Sequence, residues 1–306
     1  TETLDFSGAP VARWFGDGEL NVAYNCLDRH VEEGRGDRVA LHFEGEPGDQ
    51  RSITYAELTT EVKKAANVLS QLGVRAGDRV IIYLPLIPEA VVAMLAVARL
   101  GAIHSVVFGG FSALSLTDRI EDGGCTAVIT ADGGWRRGSI LALKDAVDEA
   151  VKDQAQVHTV LCVRRTEQAV QWNGERDVWL HEALEGVGDA CDPEPMDSED
   201  VLFLLYTSGS TGKPKGVVMT QGGMAAKSLI SMAEWQWPQE IRYLASSPIS
   251  HAAGFLLIPT FLNGGKVYLT AGFVFGLAGT LWIGALLVAL NLLTAFAYAR
   301  ARNKRF

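Results

Sequence analysis

Apolar runs and amphipathic stretches alternate along most of this chain. Val80–Leu84, Ser105–Phe108, Ala127–Thr130, Thr159–Val163 and Val201–Leu205 are short runs with almost no polar alternation, the signature of strands buried on both faces. Between them lie helical stretches: Pro88–Leu100, Ser112–Glu121 and Ile140–Val151. Strand and helix in turn predict an α/β fold, a mostly parallel sheet flanked by helices. Before the alternation begins, residues 20–34 predict a helix with Val22, Cys26, Leu27 and Val31 on one face and Gly34 as its stop. His30 in it reads as a surface or hydrogen-bonded histidine. Residues 38–44 and 51–54 predict a hairpin around Gly45–Asp49. Thr54 and Glu57 form a capping box opening a helix that runs to about Leu72. Further on, Val217–Met219 reads as a short strand, Gly222–Ala233 as a helix, and an apolar helix to about Leu262 leads into residues 264–269.

Charge narrows the function. The net charge is −9, and four basic residues sit at the very end (Arg300, Arg302, Lys304 and Arg305), so the first 270 residues are more acidic still. An acidic surface argues against a nucleic-acid platform. Cys26, Cys125, Cys162 and Cys191 form no C-x-x-C pair and match no zinc spacing, so no metal ligands are assigned and the thiols fit a reducing compartment. Residues 1–6 carry no secretory signal pattern, and a cytoplasmic chain, with membrane association through its C-terminal helix, is the expectation. The chain opens on Thr1 rather than methionine, as a chain beginning inside a longer one would.

The densest chemistry follows the run Val201–Leu205, in Tyr206-Thr-Ser-Gly-Ser-Thr-Gly-Lys-Pro-Lys-Gly216. Gly209, Gly212 and Gly216 let a backbone approach an anion closely. Thr207, Ser208, Ser210 and Thr211 add hydroxyl donors, and Lys213 and Lys215 add charge, a combination suited to a polyphosphate. The spacing is not that of the common P-loop, which has four residues before its Gly-Lys pair; here two residues separate Gly209 from Gly212, and Pro214 follows Lys213. In open α/β sheets ligands sit at the carboxyl ends of strands. Two further segments follow strand ends, Gly109-Gly-Phe-Ser112 and Gly134-Trp-Arg-Arg-Gly-Ser139, the latter with two adjacent guanidinium groups suited to a phosphate.

Residues 206–216 resemble the phosphate-loop signature of the adenylate-forming superfamily. That family activates a carboxylate with ATP as an acyl-adenylate and then passes the acyl group to a thiol. Trp14-Phe15 and residues 20–34 are similar to the start of the acetyl- and propionyl-CoA synthetase branch. The resemblance implies an AMP-forming acyl-CoA synthetase that takes a short-chain carboxylate such as acetate, with ATP, Mg²⁺ and coenzyme A. It implies that residues 207–213 and Lys215 bind the ATP phosphates, that Lys213 and the hydroxyls stabilise departing pyrophosphate, and that Arg136 contacts a coenzyme A phosphate. Ser139 stands where the family often has a second basic residue. A His-x-x-Gly segment of the family is matched by His251 and Gly254, which implies that His251 borders the acyl site. From residue 242 to Leu269 the likeness shifts toward longer-chain and aryl-CoA ligases.

After about Leu269 the superfamily pattern is no longer evident, which divides the chain into a partial AMP-binding domain, 1–270, and a tail, 271–306. No charged residue occurs between Lys266 and Arg300, and residues 271–291 hold ten Leu, Ile, Val or Phe side chains. At the usual insertion scale these favour a membrane by ~3–6 kcal/mol. The tail therefore reads as a transmembrane helix giving membrane contact through 271–299, and its basic end conflicts with a cytoplasmic domain in a way that a join from another protein would explain. The alternative function is a truncated or fused, non-catalytic nucleotide-binding module tethered to a membrane.

Overall fold

The structure, a computed structural model, describes residues 3–8, 12–207, 215–238, 240–250 and 252–270. These lie within one compact unit, Thr1–Ala271. The main strands are β1 (Val39–Glu44), β2 (Gln50–Thr54), β3 (Arg79–Tyr83), β4 (Ile103–Val106), β5 (Ala127–Ala131), β6 (Gly134–Arg136), β7 (Ser139–Leu141), β8 (Thr159–Val163), β9 (Asp177–Trp179), β10 (Val201–Thr207), β11 (Lys215–Thr220), β12 (Arg242–Ala245) and β13 (Lys266–Thr270). The main helices are α1 (Tyr55–Gln71), α2 (Pro88–Arg99), α3 (Ala113–Gly123), α4 (Leu143–Val151), α5 (Gln221–Glu234) and α6 (Ala252–Leu262).

The chain is α/β, as the alternation predicts. Seven strands form one sheet in the order β9-β8-β5-β3-β4-β10-β11. Every neighbouring pair is parallel except β10 and β11. A second sheet has the order β12-β13-β1-β2, with β1 and β2 forming the expected antiparallel hairpin. In β3, β5 and β8 nearly every side chain is buried, because helices cover a parallel sheet on both faces. All of α2 except Glu89 is buried. Its apolar residues go all the way round because α1, α6 and the N-terminal helical segment surround it; Val22, Val91, Met94, Leu257 and Phe261 meet there at a cavity of about 10 Å³.

Local signals account for the helix starts. The Thr54 side chain accepts from the Glu57 amide while the Glu57 carboxylate accepts from the Thr54 amide, so both halves of the capping box form. Pro88 opens α2, Ser112 caps α3 and Thr220 caps α5. Two helix expectations are corrected in their bounds. The helix expected over 20–34 spans residues 22–32, with Leu20 in a short strand, and takes π geometry at Tyr24–Asp28. Of the two readings of His30, surface or hydrogen-bonded, the second holds. His30 is fully buried, donates from Nε2 to the Phe261 carbonyl at 2.6 Å, and leaves Nδ1 without a partner among the described residues. The helix expected from Ile140 begins at Leu143, because residues 139–141 return as a strand against β6. The apolar tail lies outside the described residues. Among the described residues no helix is long and apolar enough to cross a membrane.

Candidate functional site

The carboxyl ends of β3, β4, β5, β8 and β10 point the same way, so the segments that follow them share one edge of the sheet. β10 ends at Thr207 and β11 begins at Lys215, which is its partner in register. Residues 208–214 therefore connect two adjacent strand ends at this edge. Thr207 and Lys215 are both exposed there. Ser208, Gly209, Ser210, Thr211, Gly212 and Lys213 lie outside the described residues, as does His251. The structure pairs the two ends of the candidate phosphate segment and places Arg136 on a hairpin after another strand of the same edge; the remaining candidates are not among the residues it describes.

Tyr206 anchors this end of β10. Its hydroxyl donates to Asp122 of α3 at 2.6 Å. Burial, and then that carboxylate, push the phenol well above its ordinary range, so it stays protonated and donating. The Arg119 guanidinium lies 5.2 Å from the centre of the Tyr206 ring and 4.9 Å from that of Phe111. These contacts tie the segment after β4 to the end of β10. The Phe111 carbonyl also accepts from the Tyr83 hydroxyl at 2.7 Å.

Arg136 comes from an arrangement that the sequence did not predict. Residues 134–141 form a hairpin, β6 with β7, whose turn is Arg137-Gly138 with φ of +53° and +75°. Both turn residues are left-handed, the requirement of a two-residue type I′ connection, and glycine meets it without strain at the second position. The Arg136 guanidinium lies 5.1 Å from the centre of the Phe108 ring. A Cβ on Gly110 would fall 2.5 Å from Arg136 Nη1 and 2.6 Å from Phe108 Cε1, so the guanidinium packs where only glycine leaves room. Between β5 and β10 the sheet interposes β3 and β4, three strand spacings or ~14 Å. Residues 109–112 bridge that interval. The edge thus carries the exposed Thr207 and Lys215 at one place and the exposed Arg136 at another.

Two supporting clusters escaped sequence reasoning. Asp132, fully buried after β5, accepts from the backbone amides of Gly133, Arg165, Thr166 and Glu167 at 2.6–3.1 Å. One carboxylate thereby clamps the ends of β5 and β8. Its only sequence signal is an aspartate placed directly after an apolar run. Further along, the buried Lys144 donates to Asp148 and Asp177, both at 2.7 Å, and Arg176 donates to the same two carboxylates. Burial alone would raise the Asp177 carboxyl, but bonds from Arg176, the Asn173 amide and Lys144 hold it below its usual range. A cleft of about 540 Å³ opens beside them near Arg164 and Gln168. Its two tryptophans, Trp172 and Trp179, stack on each other at 4.4 Å.

Three of the four cysteines, Cys26, Cys125 and Cys162, are buried, and all four are free. Burial pushes Cys125 and Cys162 up to about 12, so both remain thiols at neutral pH.

A mostly parallel α/β sheet with a Gly-, Ser- and Lys-rich segment after its penultimate strand is an arrangement shared by many nucleotide-handling proteins. The profile of the AMP-binding enzyme family matches residues 27–289, and the chain belongs to that family. It is 64% identical to an acetyl-coenzyme A synthetase of Streptomyces avermitilis over 223 residues, 73% of this chain and 34% of that protein. It is 61% identical to one of Mycolicibacterium smegmatis over 236 residues, 77% and 25% of the two chains. With one of Burkholderia lata the identity is 46% over 292 aligned residues, 89% and 44%. The chain spans about a third of the length of the Streptomyces relative and a quarter of that of the Mycolicibacterium one. The family match also corrects the expectation that likeness ends near Leu269, since it continues to residue 289.

Proposed function

We propose that this chain carries the phosphate-binding part of an AMP-forming acyl-CoA synthetase acting on a short carboxylate, acetate first. The observation that carries the reading is the shared sheet edge: Thr207 at the end of β10 facing Lys215 at the start of β11, and Arg136 on the hairpin after β5, with identity to acetyl-coenzyme A synthetases running through both segments.

In the first half-reaction an acetate oxygen attacks the α-phosphorus of ATP, which enters as its Mg²⁺ complex, and pyrophosphate leaves. Residues 207–213 and Lys215 hold the β- and γ-phosphates. The hydroxyls of Thr207, Ser208, Ser210 and Thr211 and the Lys213 ammonium face the charge that builds on the departing pyrophosphate, while Gly209 and Gly212 let backbone amides approach it. His251 borders the acyl group. In the second half-reaction the coenzyme A thiolate attacks the acyl carbonyl and AMP leaves. Arg136 binds a coenzyme A phosphate and orients the thiol from a distance.

The test is ATP–pyrophosphate exchange by the purified chain with acetate, propionate, octanoate and benzoate in turn, and with Lys213→Ala beside it. Exchange that requires acetate and falls at least tenfold in Lys213→Ala supports the reading. Exchange absent with every acid from folded protein overturns catalysis by these residues alone and favours the non-catalytic module.

A further inference from the structure

The turn that carries Arg136 already holds an anion, and it belongs to the protein. Consecutive left-handed residues at Arg137 and Gly138 turn their two amides toward one point, the geometry of a backbone anion nest. Both amides donate to the Glu46 carboxylate: Arg137 N to Oε2 at 3.0 Å, and Gly138 N to Oε1. Glu46 comes from the tip between β1 and β2, some ninety residues away in sequence. The same tip is held a second time, by Asp49, whose two oxygens accept from Arg165 Nη1 and Nη2 at 2.7 and 2.9 Å. Glu46 itself is exposed, and its bonds to the turn amides are solvent-accessible. A carboxylate so placed is exchangeable. It also sets a negative charge one residue from the guanidinium assigned to ligand phosphate.

We propose that Glu46 is an internal competitor: its carboxylate occupies the Arg137-Gly138 amide nest that a coenzyme A phosphate would otherwise share with Arg136, and so holds coenzyme A affinity down. This rests on the coenzyme A reading of Arg136. A phosphate entering the turn displaces Glu46 from the two amides. The Asp49–Arg165 pair then keeps the tip of the hairpin in place, ready for the carboxylate to return when the ligand leaves. An enzyme that must release a phosphate-rich product gains a faster off-rate from such a device.

Adenosine 3′,5′-bisphosphate is the probe, titrated calorimetrically into the wild-type chain, Glu46→Gln, Glu46→Ala, Glu44→Gln and Arg136→Ala. Removing one exposed charge of ~0.2–1 kcal/mol corresponds to a change of up to about fivefold. Glu46→Gln and Glu46→Ala are expected to bind the probe about two- to fivefold more tightly, with the gain shrinking as salt rises. Glu44→Gln makes the same charge change on a neighbouring residue that does not touch the turn, and is expected to leave affinity unchanged. Equal or weaker binding by the Glu46 variants, with binding still lost in Arg136→Ala, overturns the competition while leaving the phosphate site intact. Equal gains in Glu44→Gln and Glu46→Gln overturn it in favour of bulk charge. No binding to the wild-type chain at millimolar probe overturns both the competition and the coenzyme A reading. Thermal melts of each variant separate loss of fold from loss of binding.

Discussion

Single atoms decide whether the Arg136 end of the edge works. Gly110 leaves the space that the guanidinium fills, and an added methyl group would meet both Arg136 and Phe108. The arginine tip can move aside, so Gly110→Ala should fold. It is expected to raise the KM for coenzyme A several-fold while leaving ATP–pyrophosphate exchange near wild type, because exchange does not use that end of the edge. Steady-state kinetics on the two half-reactions check this. Two buried histidines set a pH limit. Burial drives His30 and His104 down to about 4, against an ordinary value near 6.5. Between those values the unfolded chain binds protons that the folded chain does not, so stability falls as pH is lowered from about 6.5 toward 4. Each histidine contributes up to ~1.4 kcal/mol per pH unit in that window. Urea unfolding from pH 4 to 8 should show the slope, and His104→Leu should flatten its share of it.

At the scale of elements, a buried polar cluster rather than apolar packing holds one margin of the sheet. β9 is the outermost strand on its side, with Asp177 at its start buried against Lys144 and Arg176. Removing one partner from a buried pair leaves an uncompensated charge, at a cost of ~3–5 kcal/mol. Asp177→Asn is therefore expected to lower the unfolding midpoint and speed amide exchange in β8 and β9 before it affects β3 or β4. Thr54→Ala, which removes one half of the capping box of α1, should cost about 1 kcal/mol in a denaturant melt without changing the ligand edge. Most of these elements were legible from the sequence. The capping residues and apolar runs fixed α1, α2, α3, β3, β5 and β8 to within a few residues. The β6–β7 hairpin was not legible, because Arg137 adopts a positive φ that a non-glycine residue rarely takes, and the residues after it read as a helix start.

Across the molecule, β11 forms the other margin of the seven-stranded sheet among the described residues, and its Val217 and Val218 are 44% and 56% exposed. An uncovered apolar edge strand pairs readily with other chains. Val218→Lys is expected to reduce concentration-dependent association of this chain by light scattering, with no change in its circular dichroism. The composition and order of segments already determined the α/β class, the phosphate-suited segment 206–216 and the family, because apolar periodicity and a contiguous motif are local properties. Tertiary structure alone decided the rest. It set Arg136 on a hairpin beyond β5, three strands from β10, clamped two strand ends on Asp132, buried His30, and delivered Glu46 to the Arg137-Gly138 amides. These are meetings between residues far apart in the chain, fixed by strand order and packing, and no local pattern of side chains encodes them.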